Sequence, residues 1–300
     1  MSNIVQYVTP NVKLLNFCPP SSGFENFITS WLLSGNKKAL VDVGPQVTIP
    51  GLLAALSEAG TAPDEIDYII LSHIHMDHAG GIGLAVKEMK NAQVLAHRRA
   101  YNHLVDPAVL WQASQATLGS LALKYGKIEP VSADRILIAE DGMKLDLGNG
   151  LKLELYQTPG HAPHHLVVFD RKDSVLLAGD AAGIDMNGFL RPGAPPPFRL
   201  QNYLDSLDKM IALQPLKLGY AHFGCYDDAV SRLQAVRAQT LLWYKIAQTG
   251  AKNNRTSEEV FRLILAEDNH NAKLQTMEKS VYQREYPLIL NTVRGLMTAQ

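Results

Sequence analysis

Three histidines and an aspartate fall within six residues in LSHIHMDHAGG, the stretch from Leu71 to Gly81. His73 and His75 are two apart, and side chains alternate along an extended chain, so both imidazoles can reach one metal ion from the same side. Asp77 and His78 come where the chain begins to turn, ahead of Gly80 and Gly81, and from there face a second ion beside the first. A solvated turn that happens to be rich in histidine is the bland alternative. The density of ligand side chains argues against it.

The same regularity recurs along the chain. VDVG carries Asp42, LYQTPGH carries His161, VLLAGD carries Asp180 and LGYAHFG carries His222, each at or just beyond the carboxyl end of an apolar run. In open α/β sheets such ends converge on a crevice, so residues distant in sequence can share one site. His73, His75 and His161 then give three imidazoles for one ion, and Asp77, His78 and His222 give three groups for another. Asp180 is left as a carboxylate able to bridge both. Two ions with open positions are what catalysis requires, in contrast to closed structural sites. Asp42 is expected one layer out, accepting a hydrogen bond from a ligand imidazole and fixing its tautomer. His164 and His165 read equally as substrate contacts or packed histidines, and His97, His103 and His270 as ordinary surface or helix residues.

The elements that must position these residues follow from hydrophobic periodicity. Short strands are expected at 3–9, 12–17, 27–33 and 38–43, a helix from Ile49 to Ala59, a strand at 67–71 and a helix from Ile82 to Lys90, then a strand at 93–96. Alternation of strand and helix argues for an α/β architecture. Residues 98–126 form a helical insertion, broken near Asp106 and Pro107, that lies over a pocket or packs on the outside. Strands are expected again at 136–138, 143–147, 151–156, 165–169 and 175–178. A long loop containing GAPPPF comes next, then a helix at 203–213 and a last strand at 216–220. Beyond Gly224 three helices are expected: Val230 to Tyr244, a second opened by a Thr256–Glu259 capping box, and a third starting at Pro287. These either cap the cleft or pair two subunits as a homodimer.

Composition bounds the partners. The 28 Lys and Arg residues nearly cancel the 29 Asp and Glu, and they are scattered, so nucleic acid and anionic membrane are poor candidates. A small-molecule substrate is expected instead. Cys18 and Cys225 are too few for a disulfide framework and read as reduced thiols of a cytoplasmic protein. Cys225, three residues past a candidate ligand, is the one placed to do more. No apolar run approaches the roughly 18 residues a membrane span needs.

Taken in order, VDVG, HIHMDH, TPGH, a strand ending in AGD, and AHFG resemble the metallo-β-lactamase superfamily over roughly residues 5 to 224. The resemblance implies an αββα sandwich with a metal pair at one edge between two sheets, residues 1–224 forming that domain and 225–300 a C-terminal helical extension. It supports the ligand sets given above. Complete histidines in the first motif set the chain apart from the flavodiiron branch, which has glutamate in place of the second. The chain looks more like the glyoxalase II and lactonase group than the true β-lactamases, yet AAGID follows Asp180 where glyoxalase II has leucine and phenylalanine. Gly183 stands where quorum-quenching lactonases carry tyrosine. The expected chemistry is hydrolysis of an ester, thioester or lactone by hydroxide bridging two divalent ions, zinc first with manganese or iron as alternatives. Asp77 is the candidate catalytic group that moves a proton to the leaving group. Trp111, Phe198, Tyr203 and Phe223 are candidates to line an apolar pocket. Rival readings are a single-iron oxidoreductase of the persulfide dioxygenase type, using His73 or His75 with His161 and Asp180, and a phosphodiesterase or nuclease.

Overall fold

The computed structural model describes residues 4–186, 188–268, 273–274 and 276–300; His270 lies outside the described residues. The first half builds one sheet in sequence order: β1 (Val5–Tyr7), β2 (Val12–Phe17), β3 (Ile28–Ser34), β4 (Lys38–Val41), then α1 (Ile49–Glu58) and β5 (Tyr68–Ile70). It continues through α2 (Met76–Ala79), α3 (Ile82–Glu88) and β6 (Gln93–Ala96) to the insertion α4 (Tyr101–Val105), α5 (Ala108–Leu118) and α6 (Ser120–Tyr125), and ends at β7 (Ile136–Ile138). Strands β1 to β4 pair antiparallel and β4 to β7 pair parallel.

A second sheet begins with the antiparallel strands β8 (Met143–Gly148), β9 (Leu151–Gln157), β10 (Leu166–Asp170) and β11 (Val175–Gly179). A hairpin of β12 (Ile184–Met186) and β13 (Phe189–Arg191) and the helix α7 (Leu200–Ala212) intervene before β14 (Lys217–Tyr220) pairs parallel to β11. β15 (Cys225–Tyr226) then closes that edge against β14. The chain ends in α8 (Ala229–Lys252), α9 (Ser257–Glu267) and α10 (Lys279–Met297).

Strands buried on both faces sort their side chains by the period of two. In β2, Leu14 points between the sheets and joins Trp31, Val41, Leu153 and Val168, while Leu15 points outward to a cluster containing Leu52, Leu56 and Ile82 of α1 and α3. In β10, Val168 faces inward and Phe169 outward, onto a cluster with Leu207, Trp243, Val260 and Val293 from α7 to α10. Helix, sheet, sheet, helix is therefore the layer order, and the C-terminal helices form one outer layer. Among the described residues, no helix is long and apolar enough to cross a membrane.

Three expectations need correction. The long loop after Asp180 holds the β12–β13 hairpin, whose three-residue strands are too short to leave a period-two signal. The insertion makes three short helices because Gly119 adopts φ 56 between α5 and α6. The last helix begins at Lys279, with Pro287 inside it. An internal proline costs about 3 kcal/mol. Burying Ile289, Leu290, Val293 and Leu296 contributes about 1.5–3 kcal/mol each, which outweighs that cost. The capping box at Thr256 and Glu259 is present as expected.

Candidate metal centre

Every strand-end residue singled out above arrives at the same edge of the sandwich. β4 stops at Val41 just before Asp42, β5 stops three residues before His73, and α2 presents Asp77 and His78 on its first turn. From the other sheet, β9 leads through Thr158–Pro159–Gly160 to His161, β11 ends against Asp180, and β14 ends two residues before His222. The ligand atoms of His73, His75 and His161 all lie within 4.8 Å of one another, and so do those of His73, His78 and Asp180 and those of Asp77, His78 and His222.

The spacings are those of side chains that could share ions. His75 Nδ1 lies 2.9 Å from His73 Nε2 and 3.0 Å from His161 Nε2, three nitrogens facing one point. Asp180 Oδ2 is 3.5 Å from Nε2 of both His78 and His161, and its Oδ1 is 3.5 Å from His222 Nε2. Asp77 stands 3.7 Å from His78 and 3.7 Å from His222. Two ligands at roughly 2.0–2.1 Å from a tetrahedral ion are about 3.3 Å apart, within the range seen here. His78 Nε2 and Asp180 Oδ1 are buried with no hydrogen-bond partner. Buried polar atoms are rarely left so, and an ion would satisfy both. The residues present therefore suit metal ions.

The outward nitrogens fix the tautomers. His78 Nδ1 is 3.1 Å from Asp42 Oδ2, His161 Nδ1 is 3.2 Å from the Gly193 carbonyl and His222 Nδ1 is 2.5 Å from the Phe27 carbonyl. Those acceptors require an Nδ1–H, which leaves each Nε2 lone pair turned to the cluster. For His73 the partner is Ser72 Oγ at 3.1 Å, and Ser72 itself donates both its hydroxyl and its peptide N–H to Asp42, at 2.6 and 2.7 Å. Asp42 thus accepts from His78 directly and is linked to His73 through Ser72. Its φ of 59 lies in the left-handed region that aspartate tolerates better than most residues.

Charge divides the cluster. Burial, with the neighbouring imidazoles adding, holds His73 well below the ordinary histidine range, and burial takes His161 down to about 3. His75 is lowered by burial too. All three shifts favour the neutral imidazole that a metal ligand must be. Burial would also lower His78, but the carboxylates of Asp180 and Asp77 outweigh it and hold that imidazole well above its usual range. The Asp77 side therefore favours positive charge.

The structure also places the residues around the cluster. His165 is fully buried, and its Nε2 accepts the Asp180 peptide N–H at 3.2 Å while Nδ1 meets Thr158 Oγ1 at 2.9 Å, so it is a packed histidine that holds the Asp180 backbone. His164 is half-buried, its ring 6.2 Å from that of His73. Gly193 must be glycine, since a Cβ there would lie 2.6 Å from the Asp180 carbonyl oxygen and 3.0 Å from His161 Nδ1. Phe198 and Tyr203 are buried in the helix layer, packed on each other at 5.4 Å between ring centres, and the Tyr203 hydroxyl accepts the Gly193 N–H at 3.2 Å. Trp111 and Phe223 are half-buried; Phe223 borders a cavity of about 570 Å³ shared with Asn26, Met186 and Val281, which none of the candidate ligands lines. Cys225 lies in β15, outside the ligand groups. His97 caps a short turn by accepting the Arg99 N–H.

Four layers with metal-ligand groups at the strand ends define a metal-binding αββα sandwich. Residues 23–222 match the family model of the metallo-beta-lactamase superfamily, and the chain belongs to that superfamily, whose members are in general metal-dependent hydrolases. The metallo-beta-lactamase fold-containing protein ST1585 of Sulfurisphaera tokodaii is 32% identical over 206 residues, covering 67% of this chain and 74% of that protein. The crystal structure of ST1585 from Sulfolobus tokodaii matches with a TM-score of 0.73 at 25% identity, over 94% of this chain and 97% of that one. The metallo-beta-lactamase family protein TTHA1429 from Thermus thermophilus shares the fold, with a TM-score of 0.71 at 21% identity over 97% of this chain and 93% of its own. The N-acyl homoserine lactonase AttM of Azorhizobium caulinodans is 30% identical over 135 residues, 44% of this chain and 47% of its own.

Proposed function

We propose that this chain is a dinuclear metal-dependent hydrolase of a small ester, thioester or lactone. The observation that carries the reading is the pair of orphaned, buried atoms, His78 Nε2 and Asp180 Oδ1, set between two three-residue ligand groups. His73, His75 and His161 would hold one ion and Asp77, His78 and His222 the other, with Asp180 facing both; zinc is the expected metal, with manganese and iron the alternatives. Ions so held supply Lewis acidity and a hydroxide at neutral pH. Asp77 has a side chain 24% exposed against 1% for His78 and 4% for His222, so it alone of its triad can pass a proton to a departing alcohol or thiol. The lactonase among the relatives favours the lactone end of the substrate range.

A single-iron oxygenase would need only His73 or His75 with His161 and Asp180, and the Asp77, His78 and His222 group is as well assembled as the first. The deciding experiment is elemental analysis of protein purified without added metal, followed by assay against lactones and thioesters. About two zinc or manganese ions per chain with turnover, abolished in a folded Asp180→Ala variant, is the expected outcome. About one iron per chain, with oxygen uptake on a persulfide, would overturn it.

A further inference from the structure

Beneath the ligand cluster, α10 buries a carboxylate and a guanidinium where apolar side chains would pack as well. Glu285 is fully buried, and its Oε2 takes Arg191 Nη2 at 3.1 Å and Nε at 3.2 Å while Oε1 takes Arg284 Nε at 3.0 Å. Desolvating three charges contributes little to stability, so a fixed position is what such a cluster secures best. Each guanidinium leads to the metal centre.

Arg191 ends β13, two residues before Gly193, whose carbonyl holds His161 Nδ1–H. Its Nη1 donates to Thr292 Oγ1 at 3.4 Å, and that hydroxyl donates to the Pro192 carbonyl at 3.4 Å. Gly295 seats the Ala194 carbonyl where any Cβ would collide with it. The loop bearing Gly193 is thus clamped to α10 on both sides. Arg284 donates to the Gly23 carbonyl and lies over the Phe27 ring at 4.4 Å and the Phe223 ring at 5.3 Å. Phe27 in turn stacks on the His222 imidazole, with ring centres 4.2 Å apart and 16° between planes, and its carbonyl holds His222 Nδ1–H.

We propose that Glu285 is a positioning residue for the metal centre: through Arg191 and Arg284 it fixes the Gly193 and Phe27 carbonyls that orient His161 and His222, one from each triad. The inference rests on the metal reading above. It makes α10 part of the site.

The test is cobalt(II) titration of the full chain, with visible spectra and chelator competition, on wild type, Glu285→Gln, Thr292→Val and Val293→Ala. Val293 is fully buried on the same helix but belongs to neither path. Glu285→Gln should lose about tenfold in cobalt affinity, as loss of an outer-shell partner does, and shift the visible band. Val293→Ala should melt earlier yet bind cobalt like wild type. A folded Glu285→Gln with wild-type affinity and spectrum overturns the proposal, as does an equal loss of affinity in Val293→Ala. Should Glu285→Gln not fold, Thr292→Val decides: a loss of cobalt affinity with a shifted visible band supports the clamp, and wild-type affinity and spectrum overturn it. Wild type that takes up no cobalt overturns the metal reading itself.

Discussion

Asp42→Asn isolates the tautomer control from everything else at the site. Asparagine tolerates the φ of 59 found there, so the backbone should stay in place. One amide oxygen can still accept the Ser72 peptide N–H, now received at 2.7 Å, but the NH2 then faces both Ser72 Oγ and His78 Nδ1. Donor would meet donor at His78, which is relieved by moving its proton to Nε2 and blocking the lone pair a metal needs. Ser72 would turn its hydroxyl proton toward His73 Nδ1, 3.1 Å away, and push His73 the same way. One histidine from each triad is mis-set by one substitution. Outer-shell losses of this kind cost roughly 10–100-fold in metal affinity, about 1.4–2.7 kcal/mol, and here both ions should show it. The metal-stripped protein loses a charge-assisted hydrogen bond, about 1.5–3 kcal/mol, and should melt several degrees lower. Chelator competition measures the first effect and thermal unfolding after metal removal the second. A variant that melts lower while binding both ions at wild-type affinity would refute the tautomer argument.

Three further outcomes follow from other contacts. Gly193→Ala should drive its carbonyl off His161 because the new Cβ meets the Asp180 carbonyl oxygen at 2.6 Å; metal content should fall toward one ion per chain, and unchanged stoichiometry counts against the assignment. Burial pushes the Cys225 thiol up to about 11, so it stays protonated at neutral pH, and its alkylation should accelerate as pH rises toward 11. At pH 8 an alkylating reagent should label exposed Cys18 first, as peptide mapping would show. Thr256→Ala removes the acceptor for the Glu259 N–H at 3.2 Å and should cost about 1 kcal/mol in unfolding with cobalt affinity unchanged.

That the candidate ligands would come together was legible in the sequence because most stand at or just beyond the end of an apolar run, and such runs announce themselves by composition alone. His73, His161, Asp180 and His222 needed no contact information, only strand ends that converge. What orients them was not legible. The Gly193 and Phe27 acceptors are backbone carbonyls, which every residue has, and Ser72 is an ordinary hydroxyl beside a histidine. The hairpin carrying Arg191 is too short for periodicity to find. The start of α10 matters most, since reading Pro287 as the first helical residue leaves Arg284 and Glu285 in a loop with no reason to be buried. In the fold the helix runs back to Lys279, and those two side chains sit on its buried face, 9% and 0% exposed. A chain needing only a lid of apolar helix could have begun at the proline. The segment before it carries the carboxylate that ties Arg191 to Arg284, so running the helix back through the proline keeps that carboxylate on the buried face, a gain in position and not in stability.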